Sequence, residues 1–154
     1  MAYGPHASVA LLAIHPHFAD EILSGRKSVE FRKRAFGRDV DYVVLYATSP
    51  IKRVVGFFEV SYTWTERPQT LWSKYAHVGG IGEAEFCEYY RDSDRGVAIG
   101  IGRVWALNEP IALAALDESL TAPQSFSYLP ADIFTPLGEV ETREVRECAG
   151  GLVD

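Results

Sequence analysis

Apolar residues fall along the chain in short blocks, broken repeatedly by proline, glycine and charge. The first block, Ser8 to Ile14, is brief, apolar and ended by His15-Pro16, which predicts a buried strand. Pro16 suits the first position of a helix. Phe18, Ile22 and Leu23 follow at roughly helical spacing, and Gly25 is placed to stop the helix. From Lys27 to Lys33 the period changes to two. Val29 and Phe31 fall on one face of a predicted strand, Glu30 and Arg32 on the other. Strict alternation puts Lys27 opposite Glu30, so Lys27, Glu30 and Arg32 converge only if the strand begins after Lys27 or is bulged there.

Asp41 to Thr48 reads as a second apolar strand, with Ser49-Pro50 as its turn. Ile51 to Thr65 reads as a long strand with Gly56 at a bulge or bend. Two short helices follow. Pro68 opens one, with Leu71, Trp72 and Tyr75 as its apolar side, and Glu83 to Tyr90 forms the other around Phe86. Arg95 to Leu107 is a further strand, Ile111 to Leu116 a last strand or short turn, and Thr121 to Leu129 a loop built on Pro123. Residues 1–7 read as a leader, 8–138 as one domain and 139–154 as an acidic tail, part of which can form a short strand. Five or six strands with short helices between them predict an α+β fold, a small mixed β-barrel with short helices around it. The helices are too short for a doubly wound parallel sheet.

Composition agrees with this and removes several classes. With 154 residues, 47% hydrophobic and 23% charged, the chain suits one globular domain rather than a disordered one. No block approaches the ~20 apolar residues of a membrane span, and none reads as a signal peptide. Cys87 and Cys148 are far apart with no ligand-like neighbours, so two reduced thiols in a cytoplasmic protein are expected. The histidines, His15 and His17 included, match no zinc spacing, and no metal-ligand set is read; a divalent metal ion stays open as a cofactor.

The net charge of -6 argues against a protein that coats nucleic acid non-specifically. Its distribution changes that picture. Between Gly25 and Arg53 lie Arg26, Lys27, Arg32, Lys33, Arg34, Arg38, Lys52 and Arg53, against Glu30, Asp39 and Asp41. A basic half and an acidic tail suit a local anionic ligand.

Residues 25–32 read Gly25-x-Lys27-x-x-Glu30-x-Arg32, after an apolar strand and a helix. This motif resembles the signature of the ASCH domain, a relative of the PUA domain of RNA-modifying proteins. Tyr46-Ala47-Thr48-Ser49-Pro50, the Val54-Val55-Gly56 strand and Pro123-Gln124-Ser125-Phe126 are similar to further elements of that family. The resemblance runs roughly from Ser8 to Leu129. It implies a PUA-like barrel whose motif-lined cleft accepts RNA or a modified nucleoside.

The residue chemistry fits such a cleft. Lys27 can bind phosphate or serve as a base, and Arg32 can grip a phosphate or carbonyl with two donors. Glu30, about 6.6 Å along the strand from Arg32, can orient the cations. An exposed Glu30–Arg32 pair would instead be an ordinary ion pair worth ~0–1 kcal/mol. Tyr46, Lys52 and Ser127 are the candidate catalytic set. RNA cleavage by the substrate's own 2′-OH needs only a base, an acid and cations over the phosphate. Arg34, Ser49, Arg53 and Ser125 complete the expected ligand-binding residues. Trp64, Trp72, Tyr75 and Trp105 are either stacking surfaces or core.

Three functions follow. The first is a ribonuclease acting on single-stranded RNA, as the resemblance implies for bacterial ASCH proteins of this single-domain kind. The second is a module that binds RNA or a modified nucleotide without turnover. The third is an amidohydrolase on acylated cytidine, as in another ASCH branch. That branch places a threonine three residues after the lysine, where this chain has Glu30.

Overall fold

The structure is a computed structural model that describes residues 7–145. The leader read at 1–7, apart from Ala7, and the tail beyond Val145, Cys148 included, lie outside the described residues. Its strands are β1 (Val9–Ile14), β2 (Val29–Arg32), β3 (Tyr42–Ala47), β4 (Arg53–Glu66), β5 (Gly96–Ile111), β6 (Phe126–Leu129) and β7 (Thr142–Val145). They form one seven-stranded sheet in the order β2-β5-β4-β3-β1-β6, with β7 added to β5. β1 pairs with β3 in parallel, and every other pairing is antiparallel. The sheet curls into a half-barrel surrounded by short helices: α1 (Pro16–Leu23), α2 (Pro68–Tyr75), α3 (Glu83–Tyr89), α4 (Leu113–Leu116) and α5 (Phe134–Leu137). No helix among the described residues is long and apolar enough to cross a membrane.

This is the expected mixed α+β barrel, with more strands than the five or six read from the pattern. Residues 121–129 are the main correction. Phe126–Leu129 is not loop but a strand, because β1 offers it a free edge, with Leu12 opposite Phe126 and Val9 opposite Leu129. Four residues with two hydroxyls among them carry little strand signal, so tertiary pairing decides. Leu113–Leu116 is a helical turn, the second of the two readings of that segment, and Thr142–Val145 pairs antiparallel with Val104–Leu107.

All six residues of β1 are buried, because both faces of the sheet are covered. Ala10, Leu12 and Ile14 pack with Ile22, Leu45, Phe58 and Ile99 on one side. Leu11 and Ala13 pack with Val44, Tyr46, Phe57 and Trp105 on the other, under α4 and α5. Trp105 is therefore core, its ring stacked on Phe57 with centroids 5.0 Å apart. Trp64, Trp72 and Tyr75 lie half-buried around a third cluster of Phe31, Leu71 and Phe86 beneath α2 and α3.

Bulges between Val54 and Gly56 and between Phe58 and Tyr62 bend β4 around the barrel. At Gly56 a Cβ would stand 2.5 Å from the Trp105 carbonyl oxygen and 2.6 Å from Leu23 Cδ2. Gly56→Ala is expected to cost about 1–3 kcal/mol through overpacking. Urea unfolding should show a lower midpoint with an unchanged slope.

The two outer strands of the sheet, β2 and β6, meet along a seam closed by side chains. Arg32 donates to Ser125 Oγ at 2.8 Å, and the Gly37 N–H to Tyr128 Oη at 2.6 Å. The Phe36 and Phe126 rings meet edge-to-face at 4.9 Å.

Candidate nucleic-acid site

The site is organised by the way α1 ends. Gly25 adopts φ 82°, a left-handed conformation suited to glycine. The amides of Arg26 and Lys27 then both donate to the Glu21 carbonyl, at 3.0 and 2.9 Å. Lys27 thus belongs to the helix cap, and β2 begins only at Val29. This releases Lys27 from strand alternation. Its Nζ reaches Glu30 Oε1 at 3.3 Å, while Arg32 Nη1 meets Glu30 Oε2 at 3.1 Å. The convergence that alternation made conditional is present.

The three groups are not a surface ion pair. The Lys27 and Glu30 side chains are 2% and 6% exposed, and that of Arg32 is 14% exposed. Lys27 Nζ also donates to the Gly79 carbonyl and lies near the faces of Phe18 and Phe31, 5.2 and 5.7 Å from their centroids. Gly80, at φ 66°, leaves room for the lysine stem; a Cβ there would sit 3.2 Å from Lys27 Cβ, Cγ and Cδ. Arg32 Nη1 further donates to the Ala13 carbonyl at 3.3 Å, and Tyr90 Oη donates to the Arg32 carbonyl at 2.7 Å.

Two cations share one carboxylate, so the cluster carries an excess positive charge. Among the described residues Arg32 Nε is the buried side-chain nitrogen or oxygen atom that has no hydrogen-bond partner. A buried donor left unpaired is costly, which makes it a receptor for an acceptor atom. Lys27, Glu30 and Arg32 line a cleft of about 210 Å³ together with His15, Phe31 and Tyr89. Burial holds the Tyr89 phenol above its ordinary range; the Glu30 charge adds to this and Arg32 opposes it. The arrangement can accept a flat group carrying a carbonyl or phosphoryl oxygen.

His15 is a residue that zinc spacing alone passed over. Its Nδ1 accepts from the His17 amide at 3.2 Å as the cap of α1, which directs the proton of the neutral ring to Nε2. A histidine directly before a helix-opening proline, at the close of β1, was the available signal.

The remaining expected residues lie around this cleft rather than in it. Ser125 belongs to the cluster through Arg32. Tyr46 stands beside Ala13 in the β1–β3 register, and Ser127 beside Leu11 in the β1–β6 register, so both project from the Leu11–Ala13 face. Tyr46 is 9% exposed and packs in the apolar cluster there. Ser49, Lys52 and Arg53 are exposed on the corner between β3 and β4, which is tied to β1 by the Thr48 amide donating to the Ile14 carbonyl at 2.9 Å. Lys52 holds φ 53°, unusual for a side-chain-bearing residue. Arg34 is exposed two residues beyond β2. Ala13 links the two regions, because its carbonyl accepts from Arg32 and its amide donates to Ser125 O at 2.8 Å. No group of three or more His, Cys, Asp or Glu suited to a metal ion occurs among the described residues.

No family sequence model matches the chain. A Zymomonas mobilis protein described as an ASCH domain-containing ribonuclease is 31% identical over 129 residues, covering 81% of this chain and 86% of that one. The crystal structure of ASCH from Zymomonas mobilis matches with a TM-score of 0.79 at 28% identity, over 86% of this chain and 96% of the other. Structures of its tyrosine-to-phenylalanine and serine-to-alanine variants match with the same TM-score of 0.79. The N-terminal domain of Staphylothermus marinus McrB shares the fold alone, with a TM-score of 0.55 at 12% identity over 90% of this chain and 97% of that domain. The motif, the barrel and the similarity to the Zymomonas protein agree: the chain belongs to the ASCH domain family.

Proposed function

We propose that this protein binds single-stranded RNA and cleaves it as a ribonuclease. The observation that carries the binding half is the buried Lys27–Glu30–Arg32 cluster, with its excess positive charge and its unspent Arg32 N–H at the cleft. A base carbonyl or a phosphoryl oxygen satisfies both. The similarity to a protein described as a ribonuclease supports the catalytic half.

In this reading Lys27, Glu30, Arg32 and Ser125 hold the nucleotide. Arg34, Ser49 and Arg53 contact the strand on either side. Tyr46, Lys52 and Ser127 carry the chemistry. The substrate's 2′-oxygen bonds to phosphorus, and the bond from phosphorus to the 5′-oxygen breaks. The 2′-OH proton passes to a base, and an acid supplies a proton to the departing 5′-oxygen. The Lys52 ammonium offsets the charge that gathers on the phosphoryl oxygens. That a tyrosine and a serine were the residues substituted in the Zymomonas structures supports choosing a phenol and a hydroxyl here.

Arg32→Lys tests the cleft. Lysine keeps the charge but removes the guanidinium fork and its Nε donor. Affinity for a labelled single-stranded RNA should fall about 10- to 100-fold, the range of one or two charge-assisted hydrogen bonds. Fluorescence anisotropy measures this, with the thermal midpoint as the folding control. Unchanged affinity in a folded variant sinks the assignment of Arg32 to the ligand.

A second reading, binding without turnover, is favoured by one observation: Tyr46, Lys52 and Ser127 are not among the residues lining the Arg32 cleft. Saturable binding with no RNA fragments after long incubation would establish it.

A further inference from the structure

The basic segment after β2 does more than close the seam. Residues 35–40 run alongside residues 60–63 of β4, and between them lies an open groove of about 620 Å³. It begins at Ala35, three residues past Arg32, so about 10 Å of extended chain separates it from the cleft. The connecting stretch is cationic. Lys33 lies over the ring of Tyr89, which lines the cleft, at 4.8 Å from the centroid. Arg34 is exposed, with no ion pair or hydrogen bond among the described residues.

The groove itself is lined by one cation, Arg38, and by the rings of Phe36 and Tyr62. Arg38 lies 3.8 Å from the centroid of Tyr128, which anchors the segment, and Asp39 is the one carboxylate among the lining residues. Tyr62 lines the β4 side. It is 39% exposed, although its ring is backed by Gly100 and stacks with Tyr75 at 5.9 Å and 25°. The flat ring is thus held in place with part of its surface open. Cations along a path with fixed aromatic faces are how sequence-tolerant single-strand binders hold a backbone and stack its bases.

We propose that the groove between residues 35–40 and 60–63 holds the RNA that flanks the nucleotide in the cleft. The enzyme then prefers strands several nucleotides long over short fragments. This rests on the reading of the protein as a single-stranded RNA binder and adds to it a second contact region and a length preference. The occupant is single-stranded nucleic acid because the segment leading to the groove is cationic and an exposed ring, Tyr62, lines it.

Anisotropy of the full chain with labelled single-stranded RNAs of about 12 and about 4 nucleotides tests the proposal. Wild type should bind the longer strand at least tenfold more tightly. Ser61→Glu places a carboxylate on the exposed groove wall without removing any contact. It should weaken the longer strand about 5- to 10-fold and leave the shorter one within twofold. Arg34→Glu should lower the slope of log affinity against log salt by about 0.7 for the longer strand, the value for one phosphate contact. If Ser61→Glu lowers the thermal midpoint, Thr63→Glu, also exposed, replaces it. Equal wild-type affinity for both lengths, or variants that leave the longer strand's affinity unchanged, overturns the groove proposal while the cleft reading stands. Absence of wild-type binding at either length overturns the RNA reading and the groove with it.

Discussion

Glu30→Ala should be among the most destabilising single changes in the protein, with a loss of about 3–5 kcal/mol. Glu30 is the shared counter-charge of Lys27 and Arg32, at 3.3 and 3.1 Å. Removing it leaves two cations, one of them almost fully buried, with carbonyls, one serine hydroxyl and two aromatic faces around them but no counter-charge. Breaking a buried pair costs far more than losing an exposed one, because the orphaned charge remains out of water. Against a typical stability of about 5–15 kcal/mol this is a large share. The thermal midpoint should fall by on the order of 10 °C. Lys27→Met added to Glu30→Ala should recover part of the loss, because it removes one orphaned cation while the space left by Glu30 stays. A cavity effect would not respond in that way. A Glu30→Ala midpoint within about 2 °C of wild type would show that the cluster is open to water, and the argument for a charged cleft floor would fail.

Lys52→Ala should lower RNA cleavage by about 10²- to 10⁴-fold, the range for loss of a positioned proton-transfer or charge-stabilising group. Its expected effect on stability is small, since the side chain is exposed. The backbone at φ 53° supplies an internal control. A left-handed residue other than glycine costs on the order of 1 kcal/mol, so Lys52→Gly should relieve the corner while still removing the ammonium. Both variants should be inactive, and only the alanine variant should keep the strain. If Lys52→Gly restores or retains cleavage, the ammonium has no part in the chemistry and the corner matters only for its shape.

The sequence showed the barrel wherever a strand is apolar enough to need cover. β1 and β3 are continuous apolar runs and β5 opens on one, Val97 to Ile101, and these runs placed the three strands to within a few residues. β6 and β7 were harder to read, because each is four residues long and exists through the edge it joins: β1 for Phe126–Leu129, β5 for Thr142–Val145. The cluster was half legible. Alternation put Glu30 and Arg32 on one face, but the position of Lys27 depended on the left-handed turn at Gly25 that ends α1. Partners 52 to 93 residues away along the chain, such as Gly79 and Ser125, had no local signal. The seam escaped for the same reason. Phe36, Gly37 and Arg38 look like a polar loop until β6 is seen to lie beside them.

The proposed function requires that the protein cleave RNA through the substrate's own 2′-OH. The direct measurement is single-turnover cleavage of one labelled sequence, prepared as RNA and as DNA, by wild type and Lys52→Ala, with and without EDTA. Wild type should cut the RNA to fragments ending in a 2′,3′-cyclic phosphate, the DNA should stay intact, and Lys52→Ala should cut neither. Intact RNA with wild type, DNA cut at the same rate, or cleavage that survives in Lys52→Ala would contradict the proposal.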